Sequence, residues 1–306
     1  MQRRFKNYSI ITLKGLAMGA ADAIPGVSGG TIAFISGIYE ELIATISNIK
    51  PSLFKTLLNK GLKAFWYEAN GNFVLALLSG IIISYISFMK LAKYLLENEP
   101  VLIWSFFFGL IIASIYFVGK QITKWNFSAI IAFLIGTSIA FYVSILPTMA
   151  TNDSAWFLFF AGAIAICAMI LPGISGSFIL IVLGAYKTLS DAIHDIDLKK
   201  IIVFVLGAII GLLSFSHVLK WLFKHYHNIT LALLTGFIFG SLNKVWPWKK
   251  TLTWHTDSKG IRSPLLQESV SPLAFEGDNK LVFAVILVII GFLTIFILEK
   301  VGSKKQ

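Results

Sequence analysis

Six long runs of apolar residues, separated by short polar segments, dominate the chain. They cover residues 73–96, 102–118, 127–146, 201–223, 229–245 and 281–298. Each run has about the 17 to 25 residues that a helix needs to cross the hydrocarbon core of a bilayer. The pattern therefore predicts three spanning helices in each half of the chain.

Two further apolar segments, residues 8–46 and 156–193, are each interrupted by a Pro-Gly motif. The motifs read Pro25-Gly26-Val27-Ser28-Gly29-Gly30 and Pro172-Gly173-Ile174-Ser175-Gly176-Ser177. Such a motif ends a helix and leaves backbone N–H groups unpaired, which lipid does not tolerate unless these groups face protein, water or a solute. We interpret each segment as a re-entrant helical hairpin, in which two shorter helices meet at the break.

The two halves of the chain resemble each other. Aligned at an offset of 147, residues 25–46 and 172–193 share identical residues at Pro25, Gly26, Ser28, Gly29, Ile32, Gly37, Tyr39, Leu42 and Ile46. Glycines further along also match in pairs: Gly80 with Gly207, Gly109 with Gly236, and Gly136 with Gly291. The pattern indicates an internal duplication, with residues 1–147 as the first repeat and 155–300 as the second.

One hairpin and three spans in each half would place the second half upside down relative to the first. The predicted fold is therefore an all-α polytopic membrane protein with two inverted-topology repeats. The positive-inside rule places both termini in the cytoplasm, together with the lysines at 50, 55, 60, 63, 120, 124 and 224. The turn with Glu97 and Glu99 and residues 247–279 would lie outside, the latter as a partly ordered cap. Ten full crossings would give the same sidedness, so this alternative stays open.

The composition agrees with a membrane protein, since 57% of residues are hydrophobic and 13% are charged. The net charge of +11 is explained by cytoplasmic loops and anionic headgroups, so no nucleic acid partner is expected. Cys167 is the sole cysteine, and the histidines lack the spacing of a helical metal pair, so neither a metal nor another cofactor is predicted. Nucleotide-binding and nucleophilic motifs are absent from the sequence, which argues against a pump driven by ATP and against an enzyme.

The two breaks are the candidate binding site. A helix that begins after each break would direct its positive end at the turn, and glycines there allow a close backbone approach, so the expected ligand is an anion. The candidate residues are Gly26, Val27, Ser28, Gly29, Gly30, Thr31, Gly173, Ile174, Ser175, Gly176 and Ser177, with Lys14 as the nearest lysine. The alternatives are that the serines only cap helices, that the glycines only allow close packing, and that Lys14 extends to the membrane interface.

Two acidic residues beside the first break are candidates for proton coupling. Asp22 lies three residues before Pro25 in an apolar run, where an ionised carboxylate is costly unless it is paired or functional. Protonation of Asp22 would remove a charge that repels the anion. The alternatives are that Asp22 caps the break or pairs with Lys14, and that Glu40, the second candidate, is a solvated charge at the interface.

Both motifs resemble a known bacterial family. The run of residues 15–42, with Met18-Gly19-Ala20-Ala21-Asp22 before the first break, is similar to the polyprenyl-phosphate transporters of the PopT type, once filed as a domain of unknown function. The second motif, followed by Leu183-Gly184-Ala185-Tyr186, resembles the same family. This resemblance implies a flippase in the bacterial cytoplasmic membrane. Its substrate would be undecaprenyl phosphate, a polyprenyl-phosphate lipid, returned from the outer to the inner leaflet by alternating access.

Two other functions remain open from the residues alone. A transporter of a small soluble anion would use the same kind of site with a closed aqueous path. A membrane-embedded lipid phosphatase would need a nucleophile and arginine clamps, but the chain has only Arg3, Arg4 and Arg262, all outside the predicted spans. The sequence does not specify the oligomeric state, and beside the substrate only membrane lipids are expected as partners.

Overall fold

The computed structural model describes residues 5–22, 28–147, 149, 152, 154–256 and 262–303. Helices make up most of this part of the chain. Pro25, Gly26 and Val27, in the first motif, lie outside the described residues.

The helices of the first half follow the predicted segments closely. They are α1 Phe5–Asp22, α2 Gly29–Ile35, α3 Tyr39–Ser47, α4 Pro51–Glu68, α5 Gly71–Asn98, α6 Pro100–Gln121 and α7 Phe127–Ile145. Helix α4 lies in a segment to which the apolar pattern assigned no span. Pro51 begins the helix, which is kinked at Gly61, and the exposed Phe54 and Leu58 lie one helical turn apart before the kink.

The second half repeats this order without a counterpart of α4. Its helices are α8 Ala155–Ile170, α9 Gly176–Val182, α10 Ala185–His194, α11 Leu198–His225, α12 His227–Gly240 and α13 Leu281–Ser303, with a 3-10 turn at Ser241–Val245. Residues 247–279, expected as a partly ordered cap, contain the antiparallel strands β1 Lys249–Thr256 and β2 Arg262–Ser269. We call this pair the ribbon.

Five helical segments among the described residues are long and apolar enough to span a membrane. They are α5, α6, α7, α11 and the continuous segment His227–Val245. Helices α9 and α10 together have the length and composition of one span but are bent by 109°. Shorter apolar stretches occur at Ala155–Ile170 and Leu281–Ile297. The chain is therefore an all-α multi-pass membrane protein, as the apolar pattern predicted.

In each half, the first helix packs against the first uninterrupted spanning helix through close glycine contacts. A Cβ on Gly15 would lie 2.3 Å from the carbonyl oxygen of Leu77, and one on Gly80 would lie 2.2 Å from that of Thr12. In the second half the corresponding contacts are Gly162 with Phe204 at 2.4 Å and Gly207 with Phe159 at 1.9 Å. Small residues let the backbones approach closely, so α1 packs on α5 as α8 packs on α11.

Four other helices hold the two halves together. Helix α6 of the first half packs on α13 of the second, and α7 packs on α12. A Cβ on Gly109 would lie 1.9 Å from the carbonyl oxygen of Val288, and one on Gly236 would lie 2.2 Å from that of Phe133. We call α6, α7, α12 and α13 the scaffold. Each of the two scaffold interfaces, α6 with α13 and α7 with α12, therefore contains one helix from each half.

Hydrogen bonds show which helix ends share a face of the molecule. Asn70, just before α5, donates to Glu41 Oε1 and Thr45 Oγ1 of α3, each at 3.1 Å. At the other end, Met149 N donates to the carbonyl oxygen of Val182 at the end of α9, at 2.8 Å. We call the end with the ribbon the ribbon face and the end with Asn70 the opposite face. Helix α3 thus ends at the opposite face and α9 at the ribbon face.

Candidate functional site

The two breaks lie against each other. Ser28 Oγ donates a hydrogen bond to the carbonyl oxygen of Met169 at 3.3 Å, and Gly173 N donates to Thr31 Oγ1 at 2.8 Å. Ser28 is 3% exposed and Thr31 is 1% exposed. Residues more than 140 positions apart in the sequence therefore form one polar contact inside an apolar helix bundle.

At the first break, the polar groups are satisfied by the protein itself. Asp22 Oδ1 accepts a hydrogen bond from Gly29 N at 2.7 Å, and Ser28 Oγ accepts one from Gly30 N at 3.1 Å. A Cβ on Gly30 would lie 2.8 Å from the carbonyl oxygen of Ile170, so there is no room for a larger residue. In this conformation the described part of the first break is closed.

The second break borders a pocket. Ser175 precedes α9 without capping it, and its Oγ lies 2.9 Å from Oγ of the exposed Ser177. The pocket is small, with a cavity volume of about 10 Å³, and its lining includes Ser144, Gly173, Ile174, Ser175, Phe178, Ser241 and Lys244. Gly173 has φ of +87°, and a Cβ there would lie 2.8 Å from the carbonyl oxygen of Phe237. Only glycine therefore fits at this corner of the pocket.

Lys244 supplies the positive charge of the pocket. It lies in the 3-10 turn after α12, and its Nζ lies 4.0 Å from the centre of the Phe178 ring. The sequence analysis did not select Lys244, because a lysine at the end of an apolar run is usually an interface residue. Its position next to Asn243 was the available signal that the apolar helix ends there.

A second lysine, Lys249, supports the turn that carries Lys244. Its ammonium donates to the carbonyl oxygen of Lys244 and lies 4.2 Å from the centre of the Trp104 ring. Burial and the nearby charge of Lys244 lower the pKa of Lys249 well below its usual range. Within the described part of the chain, neither lysine forms an ion pair with a carboxylate.

The other candidate residues from the sequence lie apart from this pocket. The ammonium of Lys14 donates to the carbonyl oxygen of Ser36, at the far end of α2 from Ser28. Glu40 Oε1 lies 3.1 Å from His227 Nε2 at the opposite face. The structure thus brings Ser28, Gly30 and Thr31 against residues 169–173 of the second half, while Lys14 and Glu40 lie elsewhere. Gly26 and Val27 lie outside the described residues.

The lining of the pocket carries groups that bind anions, while its volume in this conformation admits about one water molecule. Helices α2 and α9 have only seven residues each, so their dipoles are short, and hydroxyl groups and an ammonium are the stronger ligands. Groups of three or more metal-binding side chains are not found among the described residues. A phosphate group would receive hydrogen bonds from serine hydroxyls and charge from Lys244.

Comparisons with known proteins give one consistent picture. The family described as VCA0040-like: Undecaprenyl phosphate translocase-like matches residues 18–263. A protein named "Polyprenyl-phosphate transporter" from Vibrio cholerae is 43% identical over 308 residues, which cover 99% of this chain and 100% of that protein. One of the same name from Staphylococcus aureus is 32% identical over 256 residues, covering 77% of this chain and 85% of that protein. No solved structure matches.

Proposed function

The chain belongs to the undecaprenyl phosphate translocase-like family, as its two motifs indicated, and we propose that it returns undecaprenyl phosphate from the outer to the inner leaflet of the bacterial cytoplasmic membrane. The observation that carries this proposal is the pocket at the second break, where Ser175 and Lys244 lie together. Both curated relatives are named for the same lipid class. The phosphate head binds in the pocket while the polyprenyl tail stays in lipid.

The orientation of the molecule follows from the distribution of lysines. Helix α4 carries Lys55, Lys60 and Lys63 beside the opposite face, so the positive-inside rule places that face and both termini in the cytoplasm. The ribbon face and the pocket are then outside. An outward pocket is what a carrier needs to collect lipid from the outer leaflet.

Cysteine labelling tests this orientation. We expect a cysteine at Asn152 to react with an impermeant thiol reagent added to intact cells, and a cysteine at Lys55 to react only after lysis. Both variants are made without Cys167, the one native thiol. Labelling of position 55 from outside would contradict the proposed sidedness and the inverted repeats.

Alternating access is the mechanism that the two breaks favour. Helix α3 ends at the opposite face and α9 at the ribbon face, which supports two re-entrant hairpins of inverted topology. Among the described residues the first break is closed and the second borders a pocket, so exchanging the two conformations would open the site to the cytoplasm. Ser28 and Thr31 would then contact the phosphate from the first break.

A vesicle assay tests the function itself. Purified protein in liposomes should accelerate the exchange of a fluorescent polyprenyl phosphate between leaflets, measured by quenching with dithionite. The matching neutral alcohol, which lacks the phosphate, should not be accelerated. Exchange no faster than in protein-free vesicles would contradict the proposal, and release of inorganic phosphate would indicate a phosphatase instead.

A further inference from the structure

Two lysines lie close together beside the pocket, and the described residues give neither of them a carboxylate partner. Lys244 lines the pocket, and Lys249 donates to the backbone carbonyl of Lys244. Two neighbouring ammonium groups repel each other when water is excluded, so this arrangement is unfavourable without an anion. Burial and the Lys244 charge therefore favour the neutral form of Lys249 when the pocket is empty, and an anion in the pocket would favour its charged form.

Lys249 also borders a second cavity beneath the ribbon. This cavity has a volume of about 390 Å³ and is lined by Trp104, Thr251 and Gln267 as well as Lys249. The carboxylate in its lining is Glu97, on α5. Lys249 thus links the ribbon cavity to the turn that carries Lys244.

Phosphate monoesters and phosphodiesters carry different charges, and two nearby lysines can bind them with different affinity. A phosphate monoester carries a charge of about −1.5 to −2 at neutral pH, because its second pKa is near 6. A phosphodiester, such as an ordinary membrane phospholipid, carries only one charge on its phosphate. A carrier of a scarce lipid monoester faces a large excess of diesters in the same membrane.

We propose that Lys249 is a specificity-determining residue, which makes the site prefer phosphate monoesters to phosphodiesters by adding a second positive charge behind Lys244. The inference rests on the proposed function, since it takes the pocket at Ser175 as the phosphate site. Lys244 interacts with either head, and Lys249 interacts with the additional charge of the monoester. Its lowered pKa agrees with this role, because an anion in the pocket offsets the Lys244 charge that acts on it.

The test compares two lipids that differ by one charge. Binding of undecaprenyl phosphate and of its methyl ester, which has the same chain but is a diester, is measured on purified protein. In the wild type the monoester should bind more tightly, by on the order of tenfold, as expected for one extra charge near a buried ammonium. Lys249→Gln should remove most of this preference while leaving the affinity for the methyl ester nearly unchanged.

Two variants control for structural effects. Lys250→Gln changes the next residue of β1, which is exposed and pairs with Glu276, and should leave both affinities unchanged. Lys249→Arg keeps the charge and should retain the preference. Equal loss of both affinities in Lys249→Gln, or no loss of either, would overturn the proposal, as would a wild type that binds both lipids alike. Failure of the proposed function is distinct, because then Ser175→Ala and Lys244→Gln would alter neither affinity.

Discussion

The two breaks share one motif but have opposite surroundings. Ser28 is 3% exposed and hydrogen-bonds to both Gly30 and Met169, whereas Ser175 caps nothing and lines the pocket. A sequence difference accounts for part of this contrast. At an offset of 147, Met169 stands where the first half has Asp22, so the second break lacks the carboxylate that holds Gly29 N. Among the described residues, the polar groups of the first break are therefore satisfied by the protein, whereas Ser175 of the second break lines the pocket.

A second difference involves identical residues. Tyr39 in α3 is 2% exposed and packs edge-on against Phe34 and Phe223, with ring centres 4.9 and 5.9 Å apart. Its counterpart Tyr186 in α10 is 45% exposed. Helix α3 packs on α11 of the other half, while α10 packs on α8, α9 and α11 of its own half. At the opposite face α3 is thus packed against the other half, and we describe this face as closed in the present conformation.

The largest effect is expected from locking this closed face. Glu40 and His227 join α3 to the start of α12, with 3.1 Å between Oε1 and Nε2. Cysteines at these two positions, in a chain without Cys167, joined by a short bifunctional thiol reagent, should abolish lipid exchange in vesicles. Binding of the lipid from the ribbon face should remain, because the pocket at Ser175 is unchanged.

A matched control uses another contact at the same face. Asn228 Nδ2 donates to Thr123 Oγ1 at 3.0 Å, between the ends of the scaffold helices α12 and α6. Cross-linking cysteines at Thr123 and Asn228 should leave exchange largely intact, since the scaffold is not expected to move. Full exchange with the Glu40–His227 link in place would mean that this face does not open during transport.

The next largest effect is a loss of lipid affinity, which we expect on replacing Lys244 but not on replacing Lys14. Lys244→Gln should weaken binding of undecaprenyl phosphate about a hundredfold, because it removes a charged donor from a site with little water. Lys14→Gln should leave that affinity within about threefold and lower the stability by about 1 kcal/mol, since Lys14 donates to a carbonyl at the end of α2. Thermal unfolding and lipid affinity are measured on the same preparations. Similar loss of affinity in both variants would place Lys14 in the site, as the sequence analysis predicted.

These two lysines show what the sequence could reveal and what it could not. Apolar periodicity located the spans and both breaks, because a bilayer imposes length and a Pro-Gly motif must interrupt a helix. Lys14 was selected because it is the lysine nearest to the first break along the sequence. The 3-10 turn that brings Lys244 beside Phe178 depends on α12 packing across the other half of the chain, which no local pattern encodes.

The ribbon and α4 were missed for a different reason. Strands β1 and β2 pair through the register of Lys250 with Glu268, but their residues alternate weakly between polar and apolar. Helix α4 combines lysines with exposed Phe54 and Leu58, and its lysines were used only to assign the cytoplasmic side. Such a helix matches the composition of segments that lie along a membrane surface. Charge alone was therefore a poor guide to order outside the spans.

A smaller effect should distinguish the two serines. Ser175→Ala should weaken binding of the phosphate lipid about tenfold, as expected for a lost hydrogen bond to a charged group, with little change in thermal stability. Ser28→Ala should instead cost about 1 to 2 kcal/mol of stability, because Ser28 caps α2 and bonds to Met169, and leave affinity from the ribbon face nearly unchanged. If Ser28→Ala weakened lipid binding and Ser175→Ala lowered only the stability, the first break would be the one that binds the phosphate in this conformation.

The smallest effect concerns Asp22, the acidic residue that the second half lacks. Its carboxylate accepts from Gly29 N, so in this conformation it acts as the cap that the sequence analysis offered as an alternative to proton coupling. Both roles are compatible if protonation of Asp22 weakens this bond and frees the N–H for the phosphate when the first break opens. Asp22→Asn retains an acceptor oxygen, so the loss of stability should stay below about 1 kcal/mol. The asparagine side chain does not ionise, so the pH dependence of lipid exchange in vesicles should become flatter. Exchange with an unaltered pH profile in a folded Asp22→Asn protein would leave Asp22 as a cap alone.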